Sequence, residues 1–387
     1  MKFFFKQMIK IFSSKWTILP PSKKKFLIYD GESTFLLYKI VNKSECEILH
    51  TRYEKINFYI LLLTFIRSGF RNFKIQYKIN FIKFASPKFV ITSIDNDGSF
   101  YKLKNIYPNP CYISIQNGTR VPHVRYDLFE NNSSFTDSFN VDYLFVFGEG
   151  IKKKILKNFK FNIIVAGSVL NNHYIHDYDQ NKKNNSVLFI SQMPRIISQK
   201  PGGEKNVIIP ENEKIVFNIL YNFCKKKKLE LSILPKNILE KDYRKHLVSG
   251  NWKYIDRHGY PSEESRASSY LLINKFNMIV FLYSTLGYEA LSRGIKCACF
   301  PYGCLDNDWV KKNLLFPVMP FGYPDDNENV GPFWSNMRND QIIEETLEKV
   351  FGYSNEEWTD IIKSKFVTNT MHYDPGNSII NQIIKKN

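Results

Sequence analysis

Apolar residues in this chain fall into short runs separated by polar stretches, and the runs are of two kinds. Residues 25–29 (KFLIY), 47–50, 89–94, 112–115, 143–147 and 163–165 are brief and rich in β-branched and aromatic side chains. Several end in turn-forming positions: Asp30-Gly31, Asp95-Asn96-Asp97-Gly98, Gln116-Asn117-Gly118 and Ala166-Gly167-Ser168. Brief runs of this composition, apolar through most of their length, predict strands buried on both faces. Longer helical stretches lie between them, one over 59–66. Polar sequence takes over at 171–185 (NNHYIHDYDQNKKNN) and reads as a linker. The alternation then resumes, with strands predicted at 187–191, 229–234, 253–256 and 278–282 and helices at 215–224, 341–351, 355–366 and 376–386.

Strands alternating with helices imply parallel sheets. The expected fold is therefore α/β, with two Rossmann-like domains facing a central cleft. The expected boundaries are an N-terminal segment 1–22, domains 23–180 and 181–370, and a C-terminal helix 371–387. A length of 387 residues fits two domains of roughly 100–200 residues each. In parallel sheets ligands bind beyond the carboxyl ends of the strands, so the loops after these strands are where chemistry is expected.

The first residues carry their own pattern. Read as a helix, Phe5, Ile9, Phe12 and Trp16 share one face, Phe4, Met8 and Ile11 lie beside them, and lysines fill the other side. That is a basic interfacial helix or a helix packed on its own domain, and the residues leave both readings open. Lys2, Lys6 and Lys10 interrupt any signal-peptide core. No run reaches the roughly 18–20 apolar residues of a spanning helix. The expectation is a cytoplasmic protein, with the first helix as a candidate peripheral contact with the inner membrane.

The formal charge of +17 favours anionic partners, although the basic runs at 23–25, 152–154 and 225–228 are scattered. Lys, Asn, Ile and Phe are abundant together, the bias of an AT-rich genome, which also accounts for the charge. A basic scaffold that stacks bases on its aromatic residues is one reading, but no dedicated nucleic-acid motif supports it. No specific nucleic-acid partner is expected. The six cysteines form no CxxC pair, so zinc is not expected and reduced thiols are.

The stretch FLYSTLGYEALSRGIKCACFPY, residues 281–302, carries the sharpest chemistry. It reads as a strand, a small hydroxylated loop, a helix and another strand. Backbone N–H groups at a helix N-terminus beside hydroxyls make a phosphate seat, Gly287 would let a ligand approach the backbone, and Glu289, placed in the first turn, could accept two ribose hydroxyls. Ser or Thr followed by Glu is also the capping-box signature, and locally both readings stand.

Ser284-Thr285-Leu286-Gly287-Tyr288-Glu289-Ala290, followed by Arg293-Gly294 and a strand, resembles the donor-binding signature of GT-B glycosyltransferases, in particular the bacterial surface carbohydrate biosynthesis proteins. Further blocks are similar to that group in the same order: Ile94-Asp95-Asn96 with Phe100-Tyr101, Ile115-Gln116-Asn117-Gly118-Thr119-Arg120, Asp142 with Phe147-Gly148, Ala166-Gly167-Ser168 with Asn171-Asn172, residues 187–191, and Asp374 with Gly376-Asn377. The likeness spans roughly residues 25–380.

The resemblance implies a transferase that moves a sugar from a nucleotide-sugar donor to a surface glycan such as O-antigen, capsule or lipopolysaccharide, on a free or lipid-linked acceptor. It implies no cofactor beyond the donor and no metal. Ser284, Thr285 and Gly287 would hold the donor phosphates and Glu289 the ribose. Asp30, Asp95, Asn96, Gln116, Asn117 and Gly118 would face the acceptor. Asp95, then Asp30, is the expected general base, although residues 95–98 also read as an Asx turn capping the next helix. Arg195 and Lys236, after strands of the second domain, are candidate cations for the departing phosphates. The group usually has Gln-His-Gly where Asn117 stands here, and His123 lies nearby. A nucleotide-sugar 2-epimerase shares the fold, but this chain lacks that loop's paired glycines and second glutamate. CDP-glycerol phosphotransferases carry a different loop again.

Overall fold

The computed structural model describes residues 13–52, 54–69, 71–119, 138–160, 162–174, 185–191, 195–199, 205–236, 239–256, 262–301, 321 and 328–387, with backbone alone for 195–199, 205–206 and 262–267. In chain order the first half holds β1 (Lys15–Thr17), β2 (Phe26–Tyr29), β3 (Cys46–Leu49), β4 (Lys55–Asn57), α1 (Phe58–Ser68), α2 (Phe73–Ala85), β5 (Phe89–Thr92), β6 (Cys111–Ile115), β7 (Tyr143–Val146), α3 (Glu149–Leu156), β8 (Asn162–Val165) and α4 (Val169–His173). The second holds β9 (Ser186–Ile190), β10 (Arg195–Gln199), β11 (Lys205–Ile208), α5 (Glu211–Lys227), β12 (Glu230–Leu234), α6 (Glu240–His246), β13 (Lys253–Tyr254), α7 (Ser262–Ile273), β14 (Met278–Phe281), α8 (Thr285–Ser292) and β15 (Lys296–Cys299). Helices α9 (Asp340–Gly352), α10 (Asn355–Lys363), α11 (Lys365–Thr370) and α12 (Ser378–Lys386) close the chain.

Two parallel sheets dominate. One has six strands in the order β3-β2-β5-β6-β7-β8, the other five in the order β13-β12-β9-β14-β15. Every residue of β2, β5, β9 and β14 is buried, as apolar runs covered on both faces require. Alternate residues of β2 serve opposite faces: Leu27 and Tyr29 pack toward Ile60 of α1 and Ile79 of α2, while Phe26 and Ile28 share a core with Ile380 and Ile384 of α12. The last helix thus returns to the first sheet. Among the described residues no helix is long and apolar enough to cross a membrane, and Cys46, Cys111, Cys224, Cys297 and Cys299 are free thiols.

Three expectations are corrected. Trp16 lies in β1, which pairs in parallel with β4, so the N-terminal helical stripe does not extend to it; Pro20-Pro21 follow at once and suit an extended segment. Residues 1–12, and the expected boundary at 180/181, lie outside the described residues. The proposed linker does not begin at 171: residues 169–173 are helical, and Asn171 and Asn172 are completely buried. The predicted helix 355–366 is two helices, because the backbone is extended at Ser364. Helix α2 and the antiparallel pair β10–β11 were not predicted.

The buried asparagines explain the turn at the end of the chain. Asn172 donates through Nδ2 to the Ala166 carbonyl (2.7 Å) and to Asn377 Oδ1 (3.1 Å), and its Oδ1 accepts from the Asp374 amide (2.9 Å). Asn377 donates in turn to the Val169 carbonyl (3.1 Å). Asp374 accepts from Ser378 and from the Ile379 amide, starting α12. Gly376 and Asn377 both hold positive φ, 75° and 56°, where glycine and asparagine are the residues of lowest cost. Two sequence blocks 202 positions apart therefore form one clasp. Asn172→Ala removes all three bonds at a fully buried position and should lower unfolding stability by roughly 2–4 kcal/mol, since each orphaned buried group costs about 1–3 kcal/mol; urea denaturation measures it.

Candidate functional site

Strand order assembles the site. In the first sheet β2, β5 and β6 are neighbours, so Asp30, the 95–97 loop and the 116–119 loop emerge side by side at the carboxyl edge. In the second sheet β12, β9 and β14 are neighbours, bringing together Lys236, Ser191 and the 284–287 loop. The two edges meet where the Thr119 amide and hydroxyl lie 3.4 and 3.3 Å from Thr285 Oγ1.

Ser284 is the N-cap of α8, with an extended backbone and no side-chain capping bond. Thr285 is the first helical residue, so Glu289 falls in the second turn, not the first. The capping-box reading fails on the same count: the third helical position is Gly287. The amide ends of this helix are left to other partners. Gly287 also differs from expectation. A Cβ there would sit 2.2 Å from the Phe281 ring, so this glycine lets the helix pack on its own strand rather than admitting a ligand.

Glu289 is 2% exposed and faces the first half of the molecule. Its Oε1 accepts from Ser168, in the loop after β8, and both carboxylate oxygens accept from the Tyr270 hydroxyl of α7 at 2.9 Å. Burial lifts its pKa to about 7 against the opposing pull of Ser168, Tyr270 and Arg293. Beside it, Asn171 donates to Ser292 Oγ (3.0 Å) and accepts from Arg293 Nε (2.6 Å). Arg293 also reaches the Tyr270 carbonyl and Asn274. Ser168 and Asn171 from the first half thus meet Glu289, Ser292 and Arg293 of the second, so this carboxylate, expected to hold a ribose, lies in a buried joint between the two halves.

On the first edge, Asp30 is buried with positive φ (79°) and accepts from Arg52 Nε (2.8 Å), Thr51 Oγ1 (2.7 Å) and the Glu32 amide (3.0 Å). A carboxylate engaged in this way organises its loop. Asp95 is 6% exposed, and its carbonyl accepts from Tyr101. Asn96 and Asn117 are exposed. Gln116 is buried and braces its loop, donating to the Gly118 carbonyl (2.8 Å) and accepting from the Phe147 amide (2.9 Å). The helix cap in this loop is Asp97, which accepts from the Ser99 amide. Its other oxygen accepts from Tyr29, and Lys78 Nζ lies 2.5 Å from that hydroxyl and 2.7 Å from Ser99 Oγ. Burial would raise the Asp97 carboxyl, yet Lys78, Ser99 and Tyr29 together hold it below the ordinary range; burial lowers Lys78 and raises Tyr29. This cluster was not foreseen, because Tyr29 and Lys78 look like ordinary strand and helix residues.

In the second half, Arg195 begins β10. Lys236 is exposed after β12, its amide donating to Tyr243 OH (3.1 Å). Ser191, at the carboxyl end of β9, bonds Glu213 of α5 and Tyr243 of α6. Sequence reading missed this buried trio too, since Glu213 opens α5 among surface-like residues. His123 lies outside the described residues. Among the described residues no three His, Cys, Asp or Glu side chains gather in a way that could hold a metal.

Two facing parallel α/β sheets with a helix N-terminus at the cleft define the GT-B fold. Solved structures agree. UDP-GlcNAc 2-epimerase from Methanocaldococcus jannaschii matches over 94% of this chain and 99% of its own, at 11% identity and a TM-score of 0.54. The enzyme of that name from Neisseria meningitidis, solved bound to UDP-GlcNAc, matches over the same shares at 13% identity and 0.54. At such identities the likeness establishes the fold. No curated protein matches. The model of a family described as "putative O-antigen biosynthesis protein" matches residues 113–387, and the chain belongs to that family.

The joint makes stability depend on pH. Glu289 takes up its proton more readily folded than unfolded, where its ordinary value is 4.5. Its contribution is therefore complete below about pH 4.5 and lost as pH rises through about 7, on the order of 3 kcal/mol in all. Urea midpoints measured from pH 5 to 8 should fall in the wild type, and in Glu289→Gln this part of the slope should vanish. Gly287→Ala should cost roughly 1–3 kcal/mol by overpacking against Phe281, read as a lower melting temperature.

Proposed function

We propose that this chain is a glycosyltransferase of surface-glycan assembly, moving a sugar from a nucleotide donor to a growing, lipid-linked or free, glycan. The observation that carries the reading is the N-terminus of α8: it lies at the carboxyl end of a central buried strand, has no side-chain cap, and touches the 116–119 loop of the opposite sheet. Donor phosphates are placed against the Thr285 and Leu286 amides and the Ser284 and Thr285 hydroxyls, where the helix dipole and unpaired donors favour an anion. Lys236 supplies positive charge as the diphosphate leaves, with Arg195 the second candidate. The acceptor is placed against Asn96, Asn117 and Gly118. Asp95 is the general base, preferred over Asp30 because Asp30 is held by Arg52 and Thr51. The donor is the only cofactor-like molecule required, and the reaction is placed on the cytoplasmic side, where nucleotide sugars are available. Membership of an O-antigen family supports the reading.

Thr285→Asp tests the seat. A carboxylate at a helix start stabilises the fold by about 0.3–1 kcal/mol but repels a diphosphate. Among UDP, CDP, GDP, TDP and CMP, one should raise the melting temperature of the wild type, by mass action, and not that of Thr285→Asp. No shift with any nucleotide, or an equal shift in the variant, overturns the reading. With the matching nucleotide sugar and an acceptor glycan, the wild type should release free nucleotide. A 2-epimerase would leave the nucleotide sugar intact, changed only at the sugar's C2. Asp95→Asn should keep nucleotide binding and lose about 10²–10⁴-fold in turnover.

A further inference from the structure

We propose that the face formed by β1 and the outer side of α1 docks on an anionic lipid bilayer. The helix is turned the wrong way for an ordinary surface helix. Phe58, Leu62 and Ile66, at i, i+4 and i+8, point outward, and Ile66 is 72% exposed. The inner side instead buries a polar pair: Thr64 donates to the Ile60 carbonyl (2.7 Å) and accepts from Asn80 Nδ2 (3.0 Å). A globular helix normally shows its polar side to water.

The outer apolar residues are continuous with the strand beside them. Trp16 meets Phe58 edge-on at 6.3 Å. Ile18 and Leu19 follow at 78% and 79% exposure, and the Leu19 carbonyl accepts from Asn57 Nδ2, at the start of α1 (2.7 Å). Isolated exposed apolar residues are common, but a contiguous patch marks a binding surface.

Charge selects the occupant. Neither residues 1–29 nor residues 55–94 contain an Asp or Glu, although the chain has 37. Around the patch stand Lys15 and Lys55, opposite each other in the β1–β4 register, and the exposed Arg67, in the last turn of α1, and Arg71, just beyond it. An apolar centre flanked by mostly basic charge, with Glu54 beside Lys15 and Lys55 as an acidic exception, suits acyl chains under anionic headgroups. It repels a second copy of itself. The inference rests on this surface alone and stands apart from the donor seat.

Co-sedimentation with vesicles tests it, using phosphatidylcholine alone and an equimolar mixture with phosphatidylglycerol. The intact protein should bind the mixed vesicles and not the neutral ones, and added salt should weaken binding. Leu62→Glu with Ile66→Glu, at exposed positions that leave the melting temperature unchanged, should lower binding at least about tenfold. Arg67→Gln and Arg71→Gln should each lower it about fivefold, the equivalent of about 1 kcal/mol per basic side chain near the surface. Unchanged binding in the folded double glutamate variant, equal binding to neutral vesicles, or no binding to anionic ones overturns the proposal. So does a dimer in solution that the double variant dissociates, which would make this face a contact between copies.

Discussion

A carboxylate with almost no access to water constrains everything else in this molecule. Glu289 survives burial because hydroxyls converge on it from two directions, Ser168 from the first half and Tyr270 from α7. A buried charge or its protonated form needs such partners, and removing one leaves a group that costs more than the bond was worth. The relation between the two sheets is consequently set by a polar joint rather than by apolar contact alone. Asn171 extends it, reading Ser292 and Arg293 one turn further along the same helix. With the residues around 289–293 pinned to the first half, the other end of α8 has little freedom, and Thr285 comes to rest against Thr119.

One helix therefore does two jobs along its length. Its first residues offer amides to the cleft, and its later residues lock the halves. Sequence reading merged these jobs, because Ser284, Thr285, Gly287 and Glu289 form one compact signature. In three dimensions Gly287 and Glu289 face the interior and only the start of the signature faces the cleft. The second lock, Asn172 with Asp374 and Asn377, has the same character. Several of the blocks that carry the resemblance are, in this chain, contacts that hold its two sheets together.

The strands were legible because they are buried on both faces: an apolar run such as FLIY or MIVF has no other economical reading. The expected carboxyl-edge loops followed from them. Helix α2 was not legible. Its sequence FKIQYKINFIKFA interleaves lysines with apolar residues, and its inner side includes Asn80, so no clean period of 3.6 emerges. The joint was illegible for another reason: Ser168 and Glu289 are 121 residues apart, and nothing local to either announces the other. Asp30 shows the same limit on a smaller scale. As a residue after a strand it reads like a candidate base, and only Arg52 and Thr51, brought beside it by the loop after β3, show that its oxygens are committed.

The two edges of the cleft also differ in how freely they can vary. On the first sheet the charged residues are tied down, Asp30 by Arg52 and Asp97 by Lys78 and Tyr29, while Gln116 braces its loop against β7. Such a scaffold is stiff, since each bond lost would strand a buried polar partner. What remains adjustable are exposed side chains on stiff loops, Asn96 and Asn117. Asn117 is also where the sequence resemblance departs from the expected Gln-His-Gly. A change at an exposed position on a braced loop alters what the loop meets without disturbing how it is held. On the proposed transferase reading, such a position would bear on recognition of the acceptor, while Asp95, buried in the neighbouring loop, would be the proton acceptor.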